Sequence, residues 1–480
     1  MDLIEAFNFT LTTVPYVLAI VFAIVLFLVL AAMYWNPLVA AGVVLLVTVW
    51  ETAVPAMPVL HLGISISPFD LAFACIGGVA LIRFVSVPRG SYVLSWPLVV
   101  VVVVLFVSFA VGLSRFGARA GVEFRNDFYF WSLCAYLMTF RASESWINRL
   151  LDMWLIGAFV MCLLIWYRWL ADAFGIDWIE PFWRYADATN VSFTRVAASS
   201  VALVLGLAVL VSVDAIATGR VSPVHYLFLP ALLLTIVFLQ HRSVWVATLL
   251  PLLLLVMRRA RWSQRSRGPM LAALASMLVV GAVLGSGVFG GATESVSQQA
   301  VRATSTTEGT FVGRVQGWQE LVRRWSGLGP VGMAIGEPYG SGFERHVGRT
   351  WGGVKVEYAP HNYFVTLLLR GGLFGLLAFL VILWRLSVAG LAPMERDQER
   401  FGPPLVLAVA LCVGLYCIPY SPTPASAVLF GTAMCIAWRA NNRSPAANVE
   451  PGSPAGAMMR PVRPPSHDVL PLSGSERGSV

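Results

Sequence analysis

Two arginines and one histidine have the types and settings that could carry out chemistry. Arg242 stands in FLQHRSVWVATLLPLL, Arg314 in FVGRVQGWQELVRRW and His361 in EYAPHNYFVTLLLRGGLFG. A guanidinium is a planar, permanently charged fork that matches phosphate oxygens, and a neutral imidazole can accept a proton. The three residues together predict attack by a hydroxyl group on a substrate whose leaving group is a phosphate ester.

Each of these residues also has a purely structural interpretation. Arg242 lies between two closely spaced apolar spans, where an arginine either snorkels outward or binds an anion. Arg314 begins a helical pattern, where a cation opposes the helix dipole, and this favours an anion as its partner. His361 precedes the helix-entry residue Asn362, so a neutral base and a capping or interfacial histidine are both compatible with the pattern. The residues alone leave these alternatives open.

The elements that must position these residues are membrane helices. The chain is 58% hydrophobic and only 12% charged, which is more apolar than a soluble domain permits. In lipid such runs must be helical, because every backbone polar group has to pair within its segment. We therefore predict an all-α polytopic membrane protein with about 12–13 transmembrane helices. The spans run at roughly 14–34, 37–55, 66–84, 93–113, 122–140, 148–170, 196–217, 224–240, 243–257, 269–289, 362–388, 404–419 and 424–438.

Several function classes are disfavoured. The 6 cysteines all fall inside predicted spans without a CxxC pair, so we expect small buried side chains rather than disulfides or metal ligands. HExxH, P-loop and GxSxG motifs are absent from the sequence, and no DxD or ExD pair lies on a predicted outer loop, so we expect neither a metal ion nor a cofactor. The net charge of +8 comes from arginines scattered among short loops and a tail. These charges predict topology rather than nucleic-acid binding.

Charge also predicts the orientation and the domain organisation. The basic segment RRARWSQRSRG, residues 258–268, should be cytoplasmic by the positive-inside rule, which places the three candidate residues on the opposite face. We divide the chain into a first part of the helix bundle at 1–289, a large periplasmic loop at 290–361, a last part of the bundle at 362–438 and a disordered cytoplasmic tail at 439–480. An amphipathic helix in the loop should lie on the membrane or cap the bundle.

Two further stretches have structural interpretations. The glycines of GLGPVGMAIGEPYGSGF predict a flexible, turn-rich loop, because a glycine-rich segment without GK[ST] is weak evidence for phosphate binding. Glu123, Arg125 and Asp127 lie in the polar fifth span, where charged side chains are expected to pair within the bundle. A role in gripping substrate is the alternative for these three residues.

Three of the stretches, in chain order, resemble the O-antigen ligase and polymerase (Wzy-C) superfamily of bacterial envelope glycosyltransferases. They are QHRSVWVA, GRVQGW and HNYFVTLLLRGGLFG, within roughly residues 190–390. The resemblance implies a GT-C-like fold in the bacterial inner membrane and a metal-independent, inverting glycosyl transfer at the periplasmic face. By the same resemblance, Arg242 and Arg314 would bind the diphosphate of an undecaprenyl-diphosphate-linked glycan donor, and His361 would activate the acceptor hydroxyl.

The acceptor and the exact class of activity stay open at this level. The acceptor is a glycan for an O-antigen or exopolysaccharide polymerase, lipid A core for an O-antigen ligase, or a protein hydroxyl. A transporter or flippase of lipid-linked saccharide is the alternative from another class, with arginines that guide a headgroup. We see no internal repeat of the kind that secondary transporters carry. Membrane lipids are expected partners and nucleic acid is not.

Overall fold

Apolar helices make up nearly all of the regular structure in the described part of the chain. The computed structural model describes residues 21–54, 59–61, 65–87, 95–174, 196–219, 224–239, 241–260, 310–347, 354–357, 359–392 and 401–441. Within these ranges the helices are α1 Val21–Trp35, α2 Pro37–Ala53, α3 Pro68–Ser86, α4 Trp96–Phe116, α5 Ala118–Met138, α6 Glu144–Ala173, α7 Ser199–Ala217, α8 Val224–Phe238, α9 Arg242–Ala260, α10 Thr310–Ser326, α11 Gly329–Ile335, α12 Tyr363–Leu391, α13 Pro403–Tyr416 and α14 Ser426–Asn441.

The prediction of an all-α polytopic membrane protein is confirmed. In the described ranges, 5 helices are long and apolar enough to cross a membrane; they are α3, α4, α6, α7 and α12. Two short antiparallel hairpins accompany them: β1 Leu60–His61 with β2 Ser65–Ile66, and β3 Arg345–Val347 with β4 Val354–Val356. The predicted span at 269–289, the start of the large loop and the tail beyond residue 441 lie outside the described residues.

Local sequence signals account for where several helices begin. Asn36 accepts a hydrogen bond from the N–H of Leu38 at the start of α2, and Ser67 forms a capping box with Asp70 at the start of α3. Asn362 caps α12 by accepting a hydrogen bond from the N–H of Val365 at 3.1 Å. These contacts satisfy N–H groups that a helix leaves unpaired in its first turn, and they confirm Asn362 as a helix-entry residue.

The core is centred on α7, which is apolar around its whole circumference. In the apolar stretch of this helix, 89% of the residues are buried inside the protein. Burial on all sides is expected for a helix without a polar face. Helices α6, α8, α9 and α13 pack against it. The outer helices show the opposite pattern, with large apolar side chains such as Phe22, Phe27 and Trp384 exposed. In a membrane these side chains face lipid.

Helix α12 is broken at Gly372. This residue has φ 59° and ψ −161°, a conformation that glycine adopts without a Cβ penalty. A Cβ atom at this position would lie 2.4 Å from the carbonyl carbon and oxygen of Ala334, so α11 docks directly against the break. The N–H of Glu337 donates to the carbonyl of Leu369 at 2.6 Å. Gly372 therefore lets α11 pack directly against the side of α12.

Helix α10 caps the bundle. Leu321 packs with Phe343, Val365 and Leu369 in a small apolar cluster, so the capping alternative for the amphipathic helix is the one observed. The prediction that this helix begins at Arg314 is wrong, because it begins at Thr310. Arg314 therefore lies in its second turn, where the helix dipole has little effect.

The prediction of flexibility for the glycine-rich stretch is wrong, since its second half is packed against helices. Tyr339 is fully buried and donates to Asp127 Oδ2 at 2.7 Å. The N–H groups of Gly340 and Gly342 donate to the carboxylate of Glu123 at 2.9 and 3.0 Å. Glu123 and Asp127 thus anchor the loop to α5, in line with the pairing expected for the polar fifth span. The third residue of that group, Arg125, forms an ion pair with Asp70 at 2.9 Å.

Basic side chains gather at the end of the bundle that is opposite the start of α12. Arg258 donates to the carbonyl of Ala392 just beyond α12 at 3.1 Å, and Arg259 forms a buried ion pair with Asp214 at 2.5 Å. Arg83 donates to the carbonyl of Thr139 after the last turn of α5 at 3.0 Å. Arg258 and Arg259 lie in the last turn of α9, the helix that begins at Arg242, so they lie at the end of the bundle away from that candidate residue.

Candidate active site

His361 lies at the entrance to α12 in an unusual backbone conformation. Its φ of 48° is the single positive value among the non-glycine residues described, and such a conformation costs about 1 kcal/mol or more. Contacts on both sides hold it. The indole N–H of Trp318 donates to the carbonyl of Pro360 at 2.7 Å, and the N–H of Tyr363 donates to the carbonyl of Cys417 at 2.8 Å.

Arg314 and His361 meet around the ring of Tyr420. The guanidinium carbon of Arg314 lies 5.9 Å from the centroid of that ring, and the imidazole lies 6.3 Å from it in an edge-on arrangement. Tyr416 stacks behind Tyr420, with the ring centroids 5.0 Å apart. The structure thus brings together two of the three residues predicted to form the site, although they lie on different elements.

Arg242 is placed at the same end of the bundle as the other two residues. It is half-buried and is the first residue of α9. The preceding residue, His241, is buried, with Nε2 3.1 Å from the carbonyl oxygen of Ala197. Beside it, the hydroxyl of Tyr416 donates to Ser199 Oγ at 3.2 Å. The contacts that place Arg242 at this end therefore run through the start of α7 and the end of α13.

The electrostatics at His361 favour the neutral imidazole. The residue stays in contact with solvent, yet the surrounding protein displaces part of its water. This desolvation lowers the pKa of His361 below its usual value, and the cations of Arg314 and Arg345 lower the pKa further. A base held neutral in this way is ready to take a proton at physiological pH.

The start of α12 is a weak site for an anion. A helix N-terminus attracts anions through N–H groups that have no partner within the helix. Here the N–H of Tyr363 already donates to Cys417 and that of Val365 to the Asn362 side chain. The guanidinium groups are therefore the better donors to an anion at this place.

An ion-pair network inside the protein supports the site. Arg370, which is fully buried in α12, contacts the carboxylates of Glu123 at 2.8 Å and Glu337 at 3.6 Å. It also donates to the carbonyl of Gly342 at 2.8 Å, and Arg324 of α10 closes the network on Glu337. Buried charges are stable only when paired in this way. The network joins the described part of the large loop to α5 and to α12, the helix that follows His361.

Two residues of the site were missed from sequence. Tyr420 stands in CIPYSPTP, a stretch that reads as an ordinary connection between the last two predicted spans. Arg345 stands in GFERHVGR, with nothing in its spacing to separate it from the other loop arginines. Only the packing of α10 and α13 around His361 reveals both.

The residues present do not resemble a metal centre. In the part of the chain that the structure describes, no group of three or more histidine, cysteine, aspartate or glutamate residues is arranged to hold a metal ion. The cations around His361 would also repel one.

A known protein family matches the part of the chain that carries the three candidate residues. Residues 227–380 match the Wzy_C family model, O-antigen ligase. The match covers about a third of the chain, from α8 to the middle of α12, and it contains Arg242, Arg314 and His361. No curated protein matches the chain. The O-antigen ligase match confirms the resemblance over this region and supports a membrane glycosyltransferase of the ligase and polymerase type.

Proposed function

We propose that this protein transfers a glycan from undecaprenyl diphosphate to a hydroxyl group of an acceptor glycan or of lipid A core, with inversion and without a metal ion. The observation that carries the proposal is the meeting of Arg314 and a neutral His361 around Tyr420. Their place within the region that matches O-antigen ligases supports it. We place the reaction at the periplasmic face of the inner membrane, because the basic ends of α3 and α9 lie at the other end of the bundle.

The chemistry follows from the charges. The imidazole of His361 takes the proton of the acceptor hydroxyl while the oxygen of that hydroxyl attacks the anomeric carbon of the donor glycan. The bond from that carbon to the diphosphate breaks on the opposite side of the sugar, and the bonding electrons stay on the diphosphate. Arg242 and Arg314 bind that group and stabilise its growing charge, which is the role that preorganised cations fill best in a partly dry site.

The setting suits a lipid-linked donor. A polyprenyl chain has to remain in the bilayer while its glycan stands in water, so the bond to be broken lies at the membrane surface. We place this boundary near His361, which stands two residues before the apolar helix α12 begins. The amphipathic helix α10 covers the same end of the bundle and contributes Arg314.

A reconstituted assay tests the proposal. Purified protein is mixed with lipid-linked donor and acceptor, and mass spectrometry follows undecaprenyl diphosphate and the new glycosidic linkage. We expect His361→Ala to lower turnover by roughly 10²–10⁴, the usual contribution of a general base. Chelator should have little effect. The control is Gln319→Ala, which alters an exposed residue of α10.

Three outcomes would contradict the proposal. Near-normal turnover in His361→Ala would remove the base. A strict requirement for a divalent cation would indicate another mechanism. Movement of the headgroup across the bilayer without cleavage of any bond would indicate a flippase.

A further inference from the structure

A second arginine lies close to His361. Arg345, the first residue of β3, is buried, with 4% of its surface exposed. Its Nη2 donates to the carbonyl of Ala359 at 3.2 Å, and its Nη1 donates to the carbonyl of Phe343 at 3.2 Å. One guanidinium therefore joins the start of the hairpin to the segment that leads into His361.

Helix α10 has a gap that admits this side chain. A Cβ atom at Gly317 would lie 2.9 Å from both Cδ and Nε of Arg345. Glycine inside a helix costs up to about 1 kcal/mol relative to alanine, so α10 is weakened where Arg345 passes. Gly317 and Arg314 are three residues apart and share one face of the helix. The same face thus supplies the cation at Tyr420 and the space for Arg345.

Among the described residues, Arg314 from α10 and Arg345 from β3 act on the imidazole of His361 by their charge, and Tyr420 from the connection after α13 lies edge-on to it. A diphosphate bound by Arg314 would cancel much of that cation's effect on the histidine and would itself favour imidazolium. Arg345 is different, because its guanidinium is already bonded to backbone carbonyls within the protein. Its charge stays beside the imidazole when the donor is bound.

We propose that Arg345 is a positioning residue, which fixes the backbone that presents His361 and keeps a permanent cation beside the imidazole. This inference rests on the proposed function and deepens it. The planar guanidinium fork of Arg345 and its positive charge have separate effects on His361. The fork holds the carbonyl of Ala359, and the charge keeps the base in its neutral form.

Two substitutions of Arg345 separate these contributions. Arg345→Gln removes the charge, and we expect kcat to fall by about 10–100-fold through misplacement of the base. Loss of the cation also raises the pKa of His361, and a base is inactive below its pKa. The acid limb of the pH profile of kcat/KM should therefore move to higher pH. Arg345→Lys should lower kcat as well but leave the acid limb close to its wild-type position.

The control and a second perturbation keep the test decisive. Arg323→Gln removes an exposed cation from the last turn of α10 and should change neither kcat nor the pH profile. Gly317→Ala displaces the Arg345 side chain without changing any charge, and it should lower kcat. Size-exclusion chromatography in detergent shows whether Arg345→Gln folds. If it does not fold, the kcat values of Gly317→Ala and Arg345→Lys decide the test.

The outcomes distinguish this inference from the proposed function. Wild-type kcat and an unmoved acid limb in Arg345→Gln, with His361→Ala inactive, would overturn the positioning role and leave the glycosyl transfer intact. Wild-type kcat in a folded Gly317→Ala would likewise overturn it. Full activity in His361→Ala would instead overturn the proposed function itself.

Discussion

At the scale of single residues, the candidate site combines arginine with histidine. Desolvation and two nearby cations, Arg314 and Arg345, favour the neutral form of His361. In the function that we propose, Arg314 also binds the diphosphate, so the base and the donor depend on one shared cation. Lysine would serve less well, because its ammonium is a strongly hydrated point charge without the planar fork that matches phosphate oxygens.

This difference predicts the effect of Arg314→Lys. We expect kcat/KM to fall by roughly tenfold or more, because the two-pronged contact with phosphate oxygens is lost while the charge remains. Steady-state kinetics with the lipid-linked donor would measure it. Arg323→Lys, in the same helix but exposed, is the matched control. A fully active Arg314→Lys protein would mean that a point charge suffices.

At the scale of elements, the position of the segment around His361 depends on the break in helix α12. The break at Gly372 lets α11 dock into α12, and the buried Arg370 on the preceding turn then pairs with carboxylates from α5 and the loop. The loop that carries Arg345 is tied to the helix that follows His361. Parts that are far apart in the sequence therefore form one rigid support.

The break predicts a stability difference between two glycines. Gly372→Ala places a methyl group 2.4 Å from the backbone of Ala334 at a positive φ, and we expect a loss of about 2 kcal/mol or more. A lower Tm in detergent would report it. Gly78→Ala is the control, since nothing lies within 4 Å of the added atom in α3, and it should be neutral or slightly stabilising. Equal Tm values for the two variants would mean that the close approach is absent.

At the scale of the whole molecule, arginines stand in the last turns of α3 and α9, away from the candidate site. One end of the bundle carries Arg314, His361 and Tyr420, and the other carries Arg83, Arg258 and Arg259 on the ends of α3 and α9. Basic loops stay on the cytoplasmic side during insertion. This asymmetry sets the orientation that we propose.

Cysteine labelling tests that orientation. Arg323→Cys at the candidate site end and Ser143→Cys before α6 are both exposed positions, whereas 5 of the native cysteines are buried and Cys75 is half-buried. A membrane-impermeant maleimide should label Arg323→Cys in intact spheroplasts and Ser143→Cys only after permeabilisation. The unmodified protein measures the background. The reverse pattern would put the site in the cytoplasm.

The sequence alone determined the fold class, the capping of α12 by Asn362 and the choice of Arg242, Arg314 and His361 as candidates. Apolar runs in lipid have to be helices, and an arginine or histidine beside such a run is chemically conspicuous. These signals are local, so they can be read along the chain.

Only the tertiary structure decided which residues meet. The contact of Arg314 and His361 through Tyr420, the approach of Arg345 past Gly317 and the ion pairs of Arg370 all join segments that are distant in sequence. The glycine-rich stretch is held by hydrogen bonds to Ser108 on α4 and Glu123 on α5, which its own composition does not reveal. Long-range contacts depend on how the surfaces of separate helices fit together, and a linear pattern does not specify that fit.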